Sequence, residues 1–318
     1  MPSTDATILP AKTPFPPKML LSVSAEKHLL IGTNGEIIWL DENFASLGES
    51  KTPFPSQITK ACICGDFFIG VWIDHEILTA RLAALPLELD FENGVGRDEV
   101  RINTKSQSAA AIHVKGAIWS HALTAEPLAL TSIEGNYAFA LWNRGIYYHR
   151  PDSQAIWARG EITWEKLSKY SRGNELFHLH EYKGDIMAWS RGGGWAVLSS
   201  ENGDYLEGGI LELPEVLDKV YYHELGGWLL TCGDSVVRMT DLSTPEVCNT
   251  AKLSGPIGFA AWDIETNSWL ITGWRQDMSW GEQINWTSRT ELGIHISKIE
   301  GEWCVLSNSG EWSRHLVK

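Results

Sequence analysis

The pentapeptide KTPFP occurs twice, at Lys12–Pro16 and again at Lys51–Pro55, an offset of 39 residues, and each copy opens a matching stretch. KTPFPPKMLLSVSAEKHLLIG is followed by KTPFPSQITKACICGDFFIG, one residue shorter at the turn. Self-similarity at a fixed spacing of this size is the mark of a chain built from stacked supersecondary units. The unit reads as an alternating apolar strand, a short polar turn, a second apolar strand, a Gly/Asn/Asp turn and a third strand. Seven such units are expected, with motifs starting near residues 19, 58, 128, 186, 220, 259 and 294.

The second strands are placed to open at Leu29, Phe68, Tyr137, Trp195, Trp228, Trp269 and Trp303, a mean interval near 46 residues. That is the period of a four-stranded propeller blade. Sixteen tryptophans in 318 residues are then explained largely as packing between sheets, since each buries 150–250 Å². An outer fourth strand is expected after each third strand, at segments such as Asn43–Leu47 and Gln154–Ile162. Residues Ala6–Pro10 occupy the position of an outer strand with no preceding blade, so they are expected to complete the seventh blade and close the ring. The whole chain, 1–318, reads as a single all-β propeller domain of seven four-stranded blades. The long interval between Phe68 and Tyr137 leaves room for an eighth, degenerate unit around AAIHVKGAIWSHA.

Three stretches, HLLIGTNGEIIWLDE from His28, WLLTCGDSVVRMTDL from Trp228 and AAWDIETNSWLITGW from Ala260, resemble degenerate members of the WD-repeat β-propeller family. The resemblance implies the propeller fold and a tendency to act as a binding platform. It carries over no functional residue, because the one Trp-Asp pair, Trp262-Asp263, falls on an expected first strand instead of closing a third.

Charge narrows the partners. A formal net charge of −14, with no Lys/Arg run longer than a dipeptide, lacks the concentrated positive charge that displaces counterions from nucleic acid or draws a protein to anionic lipid. No uncharged apolar run of 18 residues occurs, and the N-terminus lacks a basic start followed by an apolar segment, so a cytoplasmic protein is expected. Five cysteines, Cys62, Cys64, Cys232, Cys248 and Cys304, lack the two-residue gaps of zinc knuckles and redox pairs and read as core residues.

Catalytic signatures are missing: the chain holds no GxSxG, no HExxH and no phosphate-loop pattern, so no catalytic residue, metal or cofactor is assigned. His178 and His180 alternate on an expected strand near Glu175 and Glu181 and read as surface or core histidines. The turns between second and third strands, with the connections into the next first strand, are expected to share one binding face. Its exceptional member is Gly273–Gly293, where Trp274, Trp280 and Trp286 stand six apart among Arg275, Asp277 and Glu282. Aromatic residues with a charged rim have the composition of an interaction hot spot. Arg144 and His75, each in a turn on the same expected face, complete the candidate partner-binding set. A short helix is expected from Thr163 to Gly173.

The sequence therefore favours a non-enzymatic scaffold that binds a protein partner within a cytosolic assembly. The alternative is an enzyme or small-ligand binder, for a metal or a sugar among others, using a central channel. His223, Glu224, Asp263 and His295 are its available polar residues.

Overall fold

The computed structural model describes residues 9–105, 112–242 and 249–315. Their strands assemble into six antiparallel sheets. The first is β1 (Pro17–Ser22), β2 (Lys27–Gly32), β3 (Ile37–Asp41) and β4 (Ser46–Lys51). The second is β5 (Gln57–Cys64), β6 (Phe67–Asp74), β7 (Thr79–Pro86) and β8 (Trp119–Ala122). The third is β9 (Pro127–Ile133), β10 (Asn136–Leu141), β11 (Gly145–His149) and β12 (Ala155–Arg159). The fourth is β13 (Leu176–Tyr182), β14 (Asp185–Ser190), β15 (Gly194–Leu198) and β16 (Tyr205–Ile210). The fifth is β17 (Lys219–His223), β18 (Gly227–Cys232), β19 (Ser235–Met239) and β20 (Asn249–Lys252). The sixth has five strands, β21 (Ile257–Asp263), β22 (Ser268–Trp280), β23 (Ile284–Ile299), β24 (Glu302–Ser307) and β25 (Trp312–Arg314).

Local sequence explains the up-and-down order. Glu134-Gly135, Lys183-Gly184 and Glu300-Gly301 each have positive φ at both residues, and each joins a first strand to a second. Two such residues make the two-residue turn whose twist matches that of paired strands. The flanking pairs Ile133↔Asn136, Tyr182↔Asp185 and Ile299↔Glu302 start the ladders directly.

The expectation of seven separate blades is corrected to six. The sixth and seventh sequence units are both present, but they share one continuous sheet. β22 pairs with β21 up to Gly273 and with β23 from Trp274 onward, and β23 pairs with β24 from Gly293 onward. The stretch Thr287–His295 contains no turn signal strong enough to break the chain between an outer strand and the next first strand, so one 16-residue strand serves both ladders. Leu270, Ile296 and Val305, with Phe259, Ala261 and Trp303 against them, form a core within this sheet. Gly258 lies where any Cβ would overlap the Gly293 carbonyl, which lets β21 and β23 approach.

The fourth unit also shifts by one strand. Ile186–Ser190 belongs to the second strand and Trp195 to the third, because Leu176–Tyr182 supplies the first. The AAIHVKGAIWSHA stretch is no eighth unit: Trp119–Ala122 is the outer strand of the second sheet, reached by a long connection that carries the helix α1 (Arg97–Lys105). Of the outer-strand expectations, Gln154–Ile162 contains β12 and Asn43–Leu47 just reaches β4. The helix expected at Thr163–Gly173 is a 3-10 turn at Glu165–Leu167. Of the expected closing strand, residues 6–8 lie outside the described residues, and Leu9 and Pro10 are in no strand. Just beyond, the Thr13 amide donates to the Gly310 carbonyl at 2.9 Å, and Lys12 pairs with Glu311 at 3.2 Å.

Contacts divide the chain into two compact units, one of residues 1–32, 38–50 and 217–318, the other of residues 33–37 and 51–216. In the first, Leu229, Val236, Trp262, Trp269, Met278 and Trp280 form one core and Leu20, Leu30, Ile299, Leu306 and Trp312 part of another. In the second, Ile69, Val71, Leu82, Tyr137 and Phe139 pack together, as do Ala138, Ile146, Trp164, Leu179 and Ile186. Each core joins residues of two sheets, the fifth and sixth, the first and sixth, the second and third, and the third and fourth in the order given.

Candidate functional site

In the first unit, β22 and β23 carry the tryptophans that the sequence grouped. Trp274 is 46% exposed at a bend where Arg275 has φ 55°. Its amide donates to the Pro256 carbonyl at 2.9 Å, the Ser254 hydroxyl donates to its carbonyl at 2.6 Å, and the Arg275 guanidinium lies 5.3 Å from its ring. Trp286, 62% exposed, stands opposite Met278, four residues along β22. Trp280, opposite Ile284, is only 5% exposed and packs with Trp262 and Trp269. Glu282 is exposed in the turn between the two strands. The three tryptophans therefore do not form one patch.

Asp277 is likewise interior. Its carboxylate accepts from Arg289 Nη1 at 2.9 and 3.2 Å and from the Thr272 hydroxyl at 2.5 Å. Arg289 also donates to the Glu291 carbonyl and the Ser313 hydroxyl. All three guanidinium nitrogens of Arg289 thus donate inside the sheet, and the group fixes β22 against β23.

The second unit brings His75 and Arg144 together. Both line a surface hollow of about 650 Å³ bounded by the β6–β7 turn, the Leu123–Glu126 connection and the β10–β11 turn. Leu78 and Trp142 stand on its wall, 90% and 52% exposed. Trp142 and Asn143 also line an adjoining hollow of about 390 Å³, with exposed Tyr170 and with Arg172 and Glu175. Trp142 is thus the common wall of two depressions. Its amide donates to the Glu126 carbonyl at 2.8 Å, which ties the turn to the connection beside it.

Charged groups behind these walls are held in place. Burial pushes the Asp74 carboxyl up, but Arg97 together with the Glu76 and Ile77 amides brings the group below its ordinary range. Glu175 behaves alike: burial raises it, and the closer Arg172 and Arg191 guanidiniums bring it below. Arg144 has no side-chain partner among the described residues and is exposed at the hollow.

Leu78 and Trp142 were missed by the sequence reading. The sequence carries no signal for them: Leu78 ends the four-residue turn His75–Leu78, and its left-handed backbone and exposure are seen only in the folded chain. Of the non-glycine residues with positive φ among the described residues, only Phe44 and Leu78 are apolar; Phe44 is buried and Leu78 is the exposed one.

The polar residues nominated for a channel site have separate surroundings. His223 stacks on Trp262 and His295 packs 4.1 Å from Phe259. Asp263 accepts from the Glu265 amide and the Thr266 hydroxyl. Among the described residues, no three His, Cys, Asp or Glu side chains are placed to hold a metal. His178 and His180 lie 5.3 Å apart, both driven to the neutral form by burial. No described helix is long and apolar enough to cross a membrane.

No protein-family model matches the sequence, and no curated protein sequence matches it. Solved structures do. The WD40 β-propeller domain of Doa1 superposes with TM-score 0.60 at 8% identity over 94% of this chain and 93% of that one. The fold is a β-propeller. YCF48 from Cyanidioschyzon merolae gives 0.58 at 12% identity, covering 95% of this chain and 97% of that one. BamB from Moraxella catarrhalis gives 0.56 at 12% identity, covering 95% and 83%. These identities carry the propeller architecture and nothing about ligands.

Proposed function

We propose that the chain, 1–318, works as one non-enzymatic propeller scaffold in a cytosolic assembly and binds a protein partner through the hollows that meet at Trp142. The observation that carries this reading is Leu78, a large apolar side chain 90% exposed at φ 52°, beside the exposed Trp142. A left-handed conformation costs a branched residue stability that Asn or Gly would not lose, and exposed apolar surface gains nothing from folding. Such a residue makes physical sense when a partner covers it. A hollow with an aromatic wall, a guanidinium at Arg144 that has no side-chain partner among the described residues and the imidazole of His75 also has the makeup of an interface centre. Trp274, Arg275 and Trp286 are proposed as a second contact area on the first unit. The acidic net charge of −14 supports a protein over a nucleic acid as partner.

The test compares proteins captured from native cells by the tagged wild type, by Leu78→Asn/Trp142→Ala and by Trp274→Ala/Trp286→Ala. Stoichiometric capture that the Leu78/Trp142 variant loses supports the assignment. Undiminished capture by that variant, still folded, contradicts it.

A further inference from the structure

Among the described residues, the outer strands of the first five sheets and the last strand of the sixth are blunted against pairing with a further chain. β8 and β20 are four residues long and β25 three. β12 and β16 bulge: the ladder skips Ile156 between Ala155 and Trp157, and Leu206 between Tyr205 and Glu207. β4 carries Glu49 and Lys51 and is left-handed at Gly48, with φ 77°.

The first half of β23 lacks these devices. It pairs with β22 in unbroken register from Trp280↔Ile284 to Gln276↔Ser288, and β24 joins β23 only from Gly293 onward. The other edge of this half therefore pairs with no strand among the described residues. Residues 284–290, INWTSRT, hold no Lys, Pro or Gly. Their one charge, Arg289, is neutralised inside the sheet by Asp277. Ile284 and Trp286 on this strand are 40% and 62% exposed. Such an edge is a template for another strand.

The pattern along the strand says which one. The face that Ile284 and Trp286 share continues with Ser288 and Thr290, so two large apolar side chains are followed by two small hydroxyl ones. Turned about a two-fold axis through Thr287, the same strand sets Ile284 against Thr290 and Trp286 against Ser288 of the other copy, large against small throughout. On the opposite face Asn285 meets Arg289, and no like charges oppose each other. Each chain carries a net charge of −14, so two copies meet with least repulsion where the strip itself is neutral. We propose that two copies of this chain pair antiparallel through residues 284–290, about a two-fold axis at Thr287. This names the occupant of the contact area around Trp286 and rests on the reading of that area as an interface; the hollow at Trp142 is not involved.

The test is sedimentation velocity of the full chain between about 1 µM and about 1 mM. A strand-edge contact is small, so a reversible rise from the mass of one chain to that of two is expected within this range. Trp286→Lys, which puts a charge on the edge at an exposed position, should weaken the dimer at least about tenfold. Position 287 meets itself across the axis, so oxidation should link two Thr287→Cys chains but not two Thr290→Cys chains, with the wild type as blank for the native cysteines. Thermal melting checks the fold of each variant. The mass of one chain throughout overturns the proposal. So does a dimer that Trp286→Lys leaves intact, or one that Thr290→Cys links as readily as Thr287→Cys. The readout needs no other protein, so its failure leaves the partner reading at Trp142 standing, and a failed capture at Trp142 leaves the dimer standing.

Discussion

Asp277 and Arg289 form an ion pair 2.9 Å apart with side chains only 4% and 8% exposed, joining β22 to β23 inside the sixth sheet. Removing one partner of a buried pair leaves the other charge uncompensated, at a cost of about 3–5 kcal/mol. Asp277→Ala should therefore lower the urea midpoint strongly. A loss within about 0.5 kcal/mol, the range of an ordinary surface change, would mean the pair is not structural.

Trp280 and Trp286, six residues apart, should respond oppositely. Trp280→Ala empties a packed core and is expected to cost about 3–5 kcal/mol. Trp286→Ala, at 62% exposure, should stay near about 0.5 kcal/mol. Equilibrium unfolding of the two single variants checks this, and similar losses in both would place Trp286 in the core.

At Leu78 stability and function should separate. Leu78→Asn suits φ 52°, so unfolding free energy should rise by about 1 kcal/mol. Partner capture should fall in the same variant. A destabilised Leu78→Asn protein would show that the leucine packs inward.

Acid should destabilise the protein before its carboxylates titrate. Burial lowers the His295 pKa to about 3 and the His180 pKa to about 4, and His178 well below its ordinary 6.5, with His180 and Lys60 adding to the burial. Unfolded histidine takes up its proton near about 6.5, so between there and the folded values the unfolded state binds more protons. Stability is full above that point and falls as pH drops toward 4. Urea midpoints measured from about pH 7 to about pH 5 should decline, and His295→Phe should flatten the slope. A flat wild-type profile would contradict the burial of these rings.

Much of the fold was legible because KTPFP and the alternating strands state their own period. The fourth unit was read one strand late, because the tryptophan that opens a second strand at Trp228, Trp269 and Trp303 stands on a third strand at Trp195. Leu176–Tyr182, with its two half-buried histidines, pairs with β14 as the first strand, a placement that only the ladder shows. The sixth and seventh units were counted separately because their motifs are separate; only the ladder shows that Ile284–Ile299 runs through both. At the candidate site, His75 and Arg144 were legible as turn residues. Asp277 and Trp280 were grouped with the candidate interface because spacing does not reveal which face of a long hairpin is covered. Leu78 and Trp142 became visible only with φ and exposure.

The most direct test of the scaffold reading is photo-crosslinking in native cells with a benzophenone amino acid at position 142, and the same probe at the buried position 280 as control. The account predicts a discrete adduct with one protein partner at 142 and none at 280. No protein adduct at 142, in a folded and expressed chain, would contradict the proposed surface.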